Sequence, residues 1–211
     1  MSKGLFISFE GTDGSGKTTQ FRLFADFLKE RGYDVITTRE PGGTPISEKI
    51  RSVILDPENR EMDDMTEALL FAAGRAQHVA ELIRPSVEAG KIVLCDRFVD
   101  SSIAYQGCAR GLGDCVRIIN GYAVRGMQPD LTFLLDLDPQ KGRRRNVAAG
   151  KADRMEQQEA DFYKKVCEAY RALANAAKDR FVVIDASGTI DEVQDQIRRK
   201  FLEYQAGRSE E

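Results

Sequence analysis

A glycine-rich segment near the N-terminus constrains this chain of 211 residues more than any other feature. Residues 11–18 read GTDGSGKT and match the pattern G-x-x-x-x-G-K-[ST] in full. An apolar run, Leu5 to Phe9, precedes the segment, and a run with helical periodicity follows it. Between a strand and a helix, this pattern turns backbone N–H groups inward around phosphates. The sequence therefore predicts a phosphate-binding loop.

The side chains of the loop have separate predicted roles. Lys17 supplies a mobile positive charge for the phosphates, and Thr18 offers a hydroxyl group to Mg²⁺. Asp13 is unusual, because phosphates would repel a carboxylate that faced them. We expect Asp13 to point toward a second ligand, unless it only stabilises a local Asx turn. The predicted nucleotide-binding residues are Gly11, Thr12, Asp13, Gly14, Ser15, Gly16, Lys17 and Thr18.

Short apolar runs alternate along the chain with longer amphipathic stretches. Each run is branched or aromatic and nearly continuous, as expected of parallel strands that are buried on both faces. The alternation predicts a doubly wound, mostly parallel α/β fold, whose ligands bind beyond the carboxyl ends of the strands. We expect one domain over residues 1–206 and a polar tail over 207–211. The predicted strands are Leu5 to Phe9, Val35 to Thr37, Ile92 to Cys95, Leu131 to Leu135 and Phe181 to Ile184.

Composition excludes several functional classes. The net charge of −3 gives no general attraction for polyanions, which argues against a nucleic-acid-binding protein. The four cysteines have the spacing of neither a zinc site nor a dense disulfide framework. No apolar run approaches the roughly 20 residues of a membrane span, and the N-terminus lacks the features of a signal peptide. We therefore expect a cytoplasmic protein without a membrane partner.

The third predicted strand is followed by two charged residues. Asp96 could hold Mg²⁺ or its waters, or could simply cap a turn at the strand end. Arg97 could pair with this carboxylate or bind a phosphate through two hydrogen bonds. A GTPase is disfavoured, because no asparagine is followed by lysine and the guanine-specifying N-K-x-D sequence is therefore missing.

Three further segments carry groups suited to a second ligand. Residues 38–44 read TREPGGT, a turn rich in glycine and proline that contains two charges. Phe71 and Arg75 would share a helix face. Phe71 could stack on a base while Arg75 reaches the edge of that base. Alternatively, Phe71 could belong to the core while Arg75 is a charge in the solvent. Residues 96–106 read DRFVDSSIAYQ and bring hydroxyl, phenol and amide groups just past a strand.

Taken together, these segments resemble the thymidylate kinase family, and its bacterial form closely. The matching stretches are FISFEGTDGSGKTTQ, TREPGGT, LLFAAGRAQHV, DRFVDSSIAYQG and GKADRMEQQE, which follow the family order over nearly the whole chain. The resemblance implies Mg²⁺-dependent transfer of the γ-phosphoryl group of ATP to dTMP, which gives dTDP and ADP for dTTP synthesis. Another P-loop nucleoside-monophosphate kinase, or a nucleotide-binding switch without turnover, is the alternative.

The resemblance also carries expectations about architecture. It implies a five-stranded parallel core, a short mobile lid at about residues 143–158, and a homodimer packed helix to helix. At the base end of the acceptor site, Phe71 would stack on thymine, while Arg75 and Gln106 would hydrogen-bond its edge, with Ser102 a further candidate. Tyr105 would lie against the deoxyribose, where a 2′-hydroxyl group would crowd it.

At the phosphate end, the resemblance implies a different set of contacts. Arg39, Arg51 and Arg97 would hold the phosphate of dTMP. Asp13 would reach the 3′-hydroxyl side, and Glu40 would lie near the metal-bound phosphates. The residues expected to contact dTMP are Asp13, Arg39, Glu40, Arg51, Phe71, Arg75, Arg97, Ser102, Tyr105 and Gln106.

The lid contains one departure from the family pattern. One branch of the family has a basic residue in the phosphate-binding loop, where this chain has Gly14, and the bacterial branch supplies arginine from the lid. Here Val147 and Ala149 stand where bacterial relatives often have further arginines. Arg145 is therefore our first candidate for the transferring phosphoryl group, and Arg154 is the second. The predicted catalytic residues are Lys17, Arg97, Arg145 and Asp13, and the predicted metal ligands are Thr18 and Asp96.

Overall fold

A parallel β-sheet forms the centre of the fold in the computed structural model, which describes residues 4–138, 140–142, 154–155 and 160–208. Within these residues the sheet has five strands in the order β2-β3-β1-β4-β5, and every neighbouring pair is parallel. This confirms the predicted doubly wound α/β fold. The strands are β1 (Leu5–Glu10), β2 (Val35–Arg39), β3 (Ile92–Asp96), β4 (Leu131–Asp136) and β5 (Phe181–Asp185).

Each strand ends one or two residues later than its apolar run predicts. The extra residues include a charged one in every case, because ladder hydrogen bonds continue after the side chains become polar. The chain order reverses at β1, which pairs with β3 on one side and β4 on the other. Such a switch point opens a crevice at the carboxyl ends of the strands. The predicted ligand site therefore belongs beyond β1 and β3.

Helices cover both faces of the sheet. Two of them continue into π-helical segments, Val79–Ile83 after α3 and Ile103–Ala109 after α5. The described helices are α1 (Lys17–Glu30), α2 (Pro45–Leu55), α3 (Asp64–His78), α4 (Arg84–Glu88), α5 (Val99–Ser102), α6 (Cys115–Val124), α7 (Ala160–Ala176) and α8 (Ile190–Arg208). Gly207, the first residue of the predicted tail, lies within α8. None of the helices in these ranges has the length and hydropathy that a membrane span requires.

The starts of two helices differ in a way that matters for function. The carboxylate of Asp63 caps α3 by accepting hydrogen bonds from the backbone N–H groups of Met65 and Thr66. No side chain caps α1, which begins directly after Gly16. The first N–H groups of a helix need partners from outside it, and an anion can supply them. The start of α1 is therefore suited to phosphate.

Aromatic rings join α1 and α8 to one face of the sheet. The ring of Phe24 on α1 packs against Phe133 of β4 and Phe201 of α8, with centroid separations of 5.6 and 5.3 Å. All three side chains are fully buried. On the opposite face, α7 packs through residues that include Val166, Tyr170 and Leu173. These two layers fix the strand ends around which the site is built.

The α8 layer gives a direct test of the core. Phe201→Ala should lower the free energy of unfolding by about 3–5 kcal/mol, because it removes a buried ring and leaves a cavity. Its neighbour Leu202 is 41% exposed, so Leu202→Ala should cost about 1 kcal/mol or less. Urea denaturation of both variants measures the difference. Equal losses would contradict the assignment of Phe201 to the core.

Candidate functional site

The glycine-rich loop adopts the backbone conformation that its glycines predict. Gly11, Gly14 and Gly16 all have positive φ angles, of 138°, 76° and 90°. A Cβ atom at Gly14 would also lie 2.1 Å from the carbonyl oxygen of Gly142. Any side chain at position 14 would therefore both strain the backbone and collide with the segment after β4. This close approach explains why a glycine stands at position 14.

Lys17 folds back over the loop that it ends. Its Nζ atom donates a hydrogen bond to the carbonyl oxygen of Thr12 at 3.0 Å and lies 4.0 Å from Asp13 Oδ1. Burial lowers the pKa of Lys17, and the nearby positive charge of Arg97 lowers it further. Nearby carboxylates offset part of this lowering, and the ammonium group lies beside the loop, where it can attract a phosphate.

Asp13 faces Arg97 across the mouth of the crevice. Arg97 Nη2 donates to Asp13 Oδ1 at 2.7 Å. Burial alone would raise the pKa of Asp13, but the charges of Arg97 and Lys17 outweigh it and leave the pKa below its ordinary value. Arg97 has a φ angle of +70°, a conformation that costs a non-glycine residue about 1–2 kcal/mol. Strain of this kind is typical of functional sites.

A buried carboxylate that the sequence analysis missed supports this arginine from below. Glu10, the last residue of β1, accepts from the backbone N–H of Phe98 at 2.7 Å, the Ser101 hydroxyl at 2.7 Å and the Tyr170 hydroxyl at 2.9 Å. Burial, together with the negative charge of Asp100, raises the pKa of Glu10 from 4.5 to about 7. Its only sequence signal was a charge that ends an apolar strand directly before the loop.

Arg75 is not the partly solvated charge that one of the two alternatives required. Its side chain is buried, and its Nε donates to Glu40 Oε2 at 2.7 Å. Its other nitrogens donate to Ser102 Oγ at 3.0 Å, to the carbonyl oxygen of Phe98 at 3.1 Å and to Asn120 Oδ1. Arg75 therefore lines the crevice, and its hydrogen bonds to the protein hold it rigidly in the wall.

Two protein partners fix the carboxylate of Glu40. Its carboxylate accepts from Arg75 Nε and lies 3.0 Å from His78 Nδ1, so both oxygens have protein partners. The resemblance places Glu40 near metal-bound phosphates, and Glu40 lines the same cavity as Lys17 and Thr18, so this role stays a prediction. Arg39 is different, because its guanidinium pairs with Glu48 and is half exposed. Arg51 donates to the carbonyl oxygen of Pro41 at 2.6 Å.

The end of the crevice beside α3 is closed by a cluster around Glu67. Gln106 Nε2 donates to Glu67 Oε1 at 2.8 Å, and Arg110 Nη2 donates to Glu67 Oε2 at 3.0 Å. Arg154 also binds Glu67 Oε2, at 2.5 Å, and donates to the carbonyl oxygen of Ile54 at 2.8 Å. Arg154 is thus held beside α3 in this structure, and its role at the transferring phosphoryl group stays a prediction. Arg145, the first candidate, lies outside the described residues, as does most of the lid range 143–158.

Two cavities flank the glycine-rich loop. The second, of about 520 Å³, is lined by residues of the loop and by a segment after β5 that the sequence analysis did not predict, including Ala186, Thr189 and Val193. The first, of about 230 Å³, brings together all ten residues expected to contact dTMP, as well as Lys17, Thr18 and Asp96. Those ten are Asp13, Arg39, Glu40, Arg51, Phe71, Arg75, Arg97, Ser102, Tyr105 and Gln106. Gly11 and Thr12 line neither cavity.

Three buried polar atoms in this region have no hydrogen-bond partner among the described residues. They are Ser15 Oγ, Asp96 Oδ1 and Tyr105 Oη. An unsatisfied buried oxygen costs about 1–3 kcal/mol, and a bound ligand, ion or water can remove this cost. Asp96 lines the same cavity as Thr18. The carboxylate of Asp96 and the hydroxyl group of Thr18 are therefore suited to hold a hydrated Mg²⁺. In the described part of the chain, no group of three or more His, Cys, Asp or Glu forms a separate metal site.

The fold and this geometry define a P-loop protein with a phosphate-binding loop between two ligand cavities. The family model described as Thymidylate kinase matches residues 9–197. The chain is 52% identical to the thymidylate kinase of Geobacillus sp. strain WCH70 over 90% of this chain and 92% of that one. It is also 52% identical to the Symbiobacterium thermophilum enzyme, over 92% and 91%, and 50% identical to the Halothermothrix orenii enzyme, over 94% and 96%. The chain belongs to the thymidylate kinase family.

The raised pKa of Glu10 predicts a pH dependence of stability. The folded state holds the proton up to about pH 7, whereas the unfolded state loses it near 4.5. The folded state thus binds more protons in this window, so this contribution to stability is present below pH 4.5 and is lost as the pH rises to 7. Glu10→Gln removes the effect. Its free energy of unfolding relative to the unaltered protein should rise by on the order of 3 kcal/mol across the window.

Denaturation of both proteins at several pH values between 4.5 and 8 measures this difference. The exposed carboxylate of Glu203 provides the control, since Glu203→Gln should show no such rise. A difference for Glu10→Gln that stays constant over the same range would show that Glu10 does not titrate in this window.

Proposed function

We propose that this protein is a thymidylate kinase, which transfers the γ-phosphoryl group of ATP to dTMP and forms dTDP and ADP. One observation carries the proposal: a phosphate-binding loop stands between two cavities, one of which is lined by every residue expected to bind dTMP. Membership of the thymidylate kinase family supports the same reaction. The sequence and the site thus favour the same acceptor.

ATP would bind with its phosphates in the loop. The N–H groups at the uncapped start of α1 and the Lys17 ammonium group would hold the β- and γ-phosphates. The larger cavity, between the loop and the residues after β5, would take the nucleoside end of ATP. Thr18 and Asp96 would hold Mg²⁺, which spreads the negative charge of the phosphates when it is bound.

The acceptor would occupy the smaller cavity. Arg39, Arg51 and Arg97 would hold the phosphate of dTMP, and Phe71 would stack on its base. Tyr105 would crowd a 2′-hydroxyl group and so favour the deoxyribose. Both nucleotides bind together, and an oxygen of the dTMP phosphate attacks the γ-phosphorus in line, without a covalent enzyme intermediate.

Arg97 is the residue best placed to act on both the dTMP phosphate and the γ-phosphate of ATP. Its guanidinium lies at the mouth of the crevice with Asp13 on one side, and Ser101 and Tyr170 Oη at 3.2 and 3.3 Å on another. A fixed cation at this position would stabilise charge that spreads over the transferring group. Asp13 would orient Arg97 and approach the 3′-hydroxyl side. An arginine of the lid, with Arg145 the first candidate, would complete the charge stabilisation.

The remaining features of the proposal concern organisation. One domain would cover residues 1–206, and the protein would act in the cytoplasm as a homodimer, without nucleic acid or membrane partners. The faces of α3 and α6 support the dimer, because these helices pack together and leave Leu69, Ile118 and Tyr122 between 50% and 81% exposed. Large exposed apolar side chains on adjoining helices are typical of protein interfaces.

An acceptor panel tests the function. ADP release should be fastest with dTMP and much slower with dUMP, UMP, AMP or thymidine. Lys17→Ala should reduce turnover by at least about a hundredfold, because the γ-phosphate loses its main cation, while the melting temperature stays within a few degrees. Lys29→Ala, at the other end of α1, is the control. ATP hydrolysis that no acceptor accelerates would favour the nucleotide-binding switch.

The homodimer has its own test. Tyr122→Lys places a charge at the most exposed apolar position of α6 and should shift the protein toward the monomer in sedimentation equilibrium. Leu202→Lys makes the same kind of change on α8 and should leave the assembly unaltered. A monomeric parent protein, or identical behaviour of the two variants, would refute the proposed interface.

A further inference from the structure

Glu67 is a charged residue of the crevice for which the proposed reaction has no role. It stands on α3, its side chain is fully buried, and it does not line either cavity. Both of its oxygens accept hydrogen bonds, from Gln106, Arg110 and Arg154. Burial of a carboxylate is costly unless several donors surround it. The surrounding donors offset the cost of burying this carboxylate at the base end of the acceptor cavity.

The contact with Gln106 determines which way its carboxamide points. An ion-paired carboxylate only accepts hydrogen bonds, so the group of Gln106 that meets it has to be the NH₂ group. Gln106 Nε2 indeed donates to Glu67 Oε1 at 2.8 Å, and Gln106 lines the acceptor cavity. No described residue donates to the carboxamide oxygen of Gln106. That oxygen is left for a ligand.

A carboxamide oxygen selects among pyrimidine bases by its hydrogen-bonding pattern. Thymine and uracil carry an N3–H donor between two carbonyl oxygens, whereas cytosine has an acceptor at N3 and an amino group at C4. Arg75, on the same wall, can only donate, and therefore suits a carbonyl oxygen. Arg75 together with the oxygen of Gln106 matches thymine and opposes cytosine. If the Gln106 carboxamide were rotated so that its NH₂ group faced N3, it would match cytosine and oppose thymine at that position.

We propose that Glu67 is a positioning residue that gives the acceptor site its preference for thymine over cytosine, by holding the Gln106 carboxamide with its oxygen toward N3–H. The inference rests on the proposed function, since it assumes that a pyrimidine monophosphate occupies this cavity. Arg110 and Arg154 contribute by holding the Glu67 carboxylate in place through their hydrogen bonds.

Glu67→Gln makes the idea testable, because the two arginines dictate how the new amide lies. Arg110 Nη2 and Arg154 Nη2 both donate to Oε2, so the amide oxygen must take that position. The amide NH₂ then replaces Oε1 and faces Gln106, and only the 3.3 Å contact from Arg110 Nε is lost. The carboxamide oxygen of Gln106 must then accept a hydrogen bond from this NH₂ group. As a result, the NH₂ group of Gln106 turns toward the base.

The expected result is a change of acceptor choice rather than a general loss. The KM for dTMP should rise about tenfold or more, because two donors now face each other at N3. The kcat with dTMP should stay within about threefold and the KM for ATP within about twofold. The inhibition constant of dCMP against dTMP should fall, so that the preference for dTMP over dCMP narrows by about thirtyfold or more.

Glu81→Gln is the matched control. Glu81 accepts from Gln77 at 2.7 Å in the same kind of Glu–Gln pair, but on the exposed surface, and this change should leave all of these constants unaltered. Gln106→Met provides a second route that leaves Glu67 and its arginines in place. It should weaken dTMP binding without improving dCMP binding, and adding Glu67→Gln to it should weaken dTMP no further.

Turnover of dTMP by the unaltered protein is established first, and its absence would overturn the proposed function and this inference together. With that turnover in hand, three results overturn the inference alone. One is an unchanged ratio of dTMP to dCMP in Glu67→Gln. Another is a parallel loss for dTMP and ATP. The third, which applies even if Glu67→Gln does not fold, is a Gln106→Met variant that binds dTMP as tightly as the unaltered protein.

Discussion

The backbone pairing of β1 with β3 is the constraint on which the site depends. Phe9 is in register with Asp96, and the ladder continues for one further bond, from Arg97 N–H to the Phe9 carbonyl at 2.9 Å. Beyond that point the Glu10 side chain takes over by accepting from Phe98 N–H. The Glu10 carboxylate thus continues the pairing of β1 and β3 by one hydrogen bond beyond the end of the backbone ladder. This extension turns Arg97 toward Asp13 and the glycine-rich loop.

Charges inside the crevice stabilise one another, and this mutual dependence has an energetic consequence. Removing one partner of a buried ion pair costs about 3–5 kcal/mol, although the whole pair adds little over an apolar pair. Arg75 bonds to Glu40, and Glu40 in turn contacts His78. Such groups contribute more to the rigidity of the walls than to the stability of the fold. A rigid wall lowers the entropy that a nucleotide loses on binding, because the donors already stand in place.

Local patterns in the sequence predicted the fold and most of the cavity lining. Each of these features is encoded in a stretch of about ten neighbouring positions, so the sequence alone could predict it. They are the loop, the five strands and the residues after β3. Glu10 and Glu67 could not, because their partners lie far away along the chain. Tyr170 is 160 positions from Glu10, and Arg154 is 87 positions from Glu67. Spacing within a helix likewise placed Phe71 beside Arg75 but carried no information about Asn120 or Glu40.

The two ends of the smaller cavity hold charge in different ways, and the proposed function gives a reason for this difference. Toward the loop, Lys17 has Asp13 Oδ1 at 4.0 Å, and Arg39 is half exposed with a surface partner. A dianionic phosphate would bind Lys17 and Arg39 without displacing a short ion pair, whereas Arg97 at the same end is held by Asp13 at 2.7 Å. Toward α3, Glu67 satisfies Arg110 and Arg154 within the protein. A neutral base there would meet an amide, a ring and the ion-paired Arg75 rather than a free charge, and hydrogen-bond direction would become the means of discrimination. Free charge at a base edge would bind any polar ring, whereas oriented dipoles reject the wrong donor pattern.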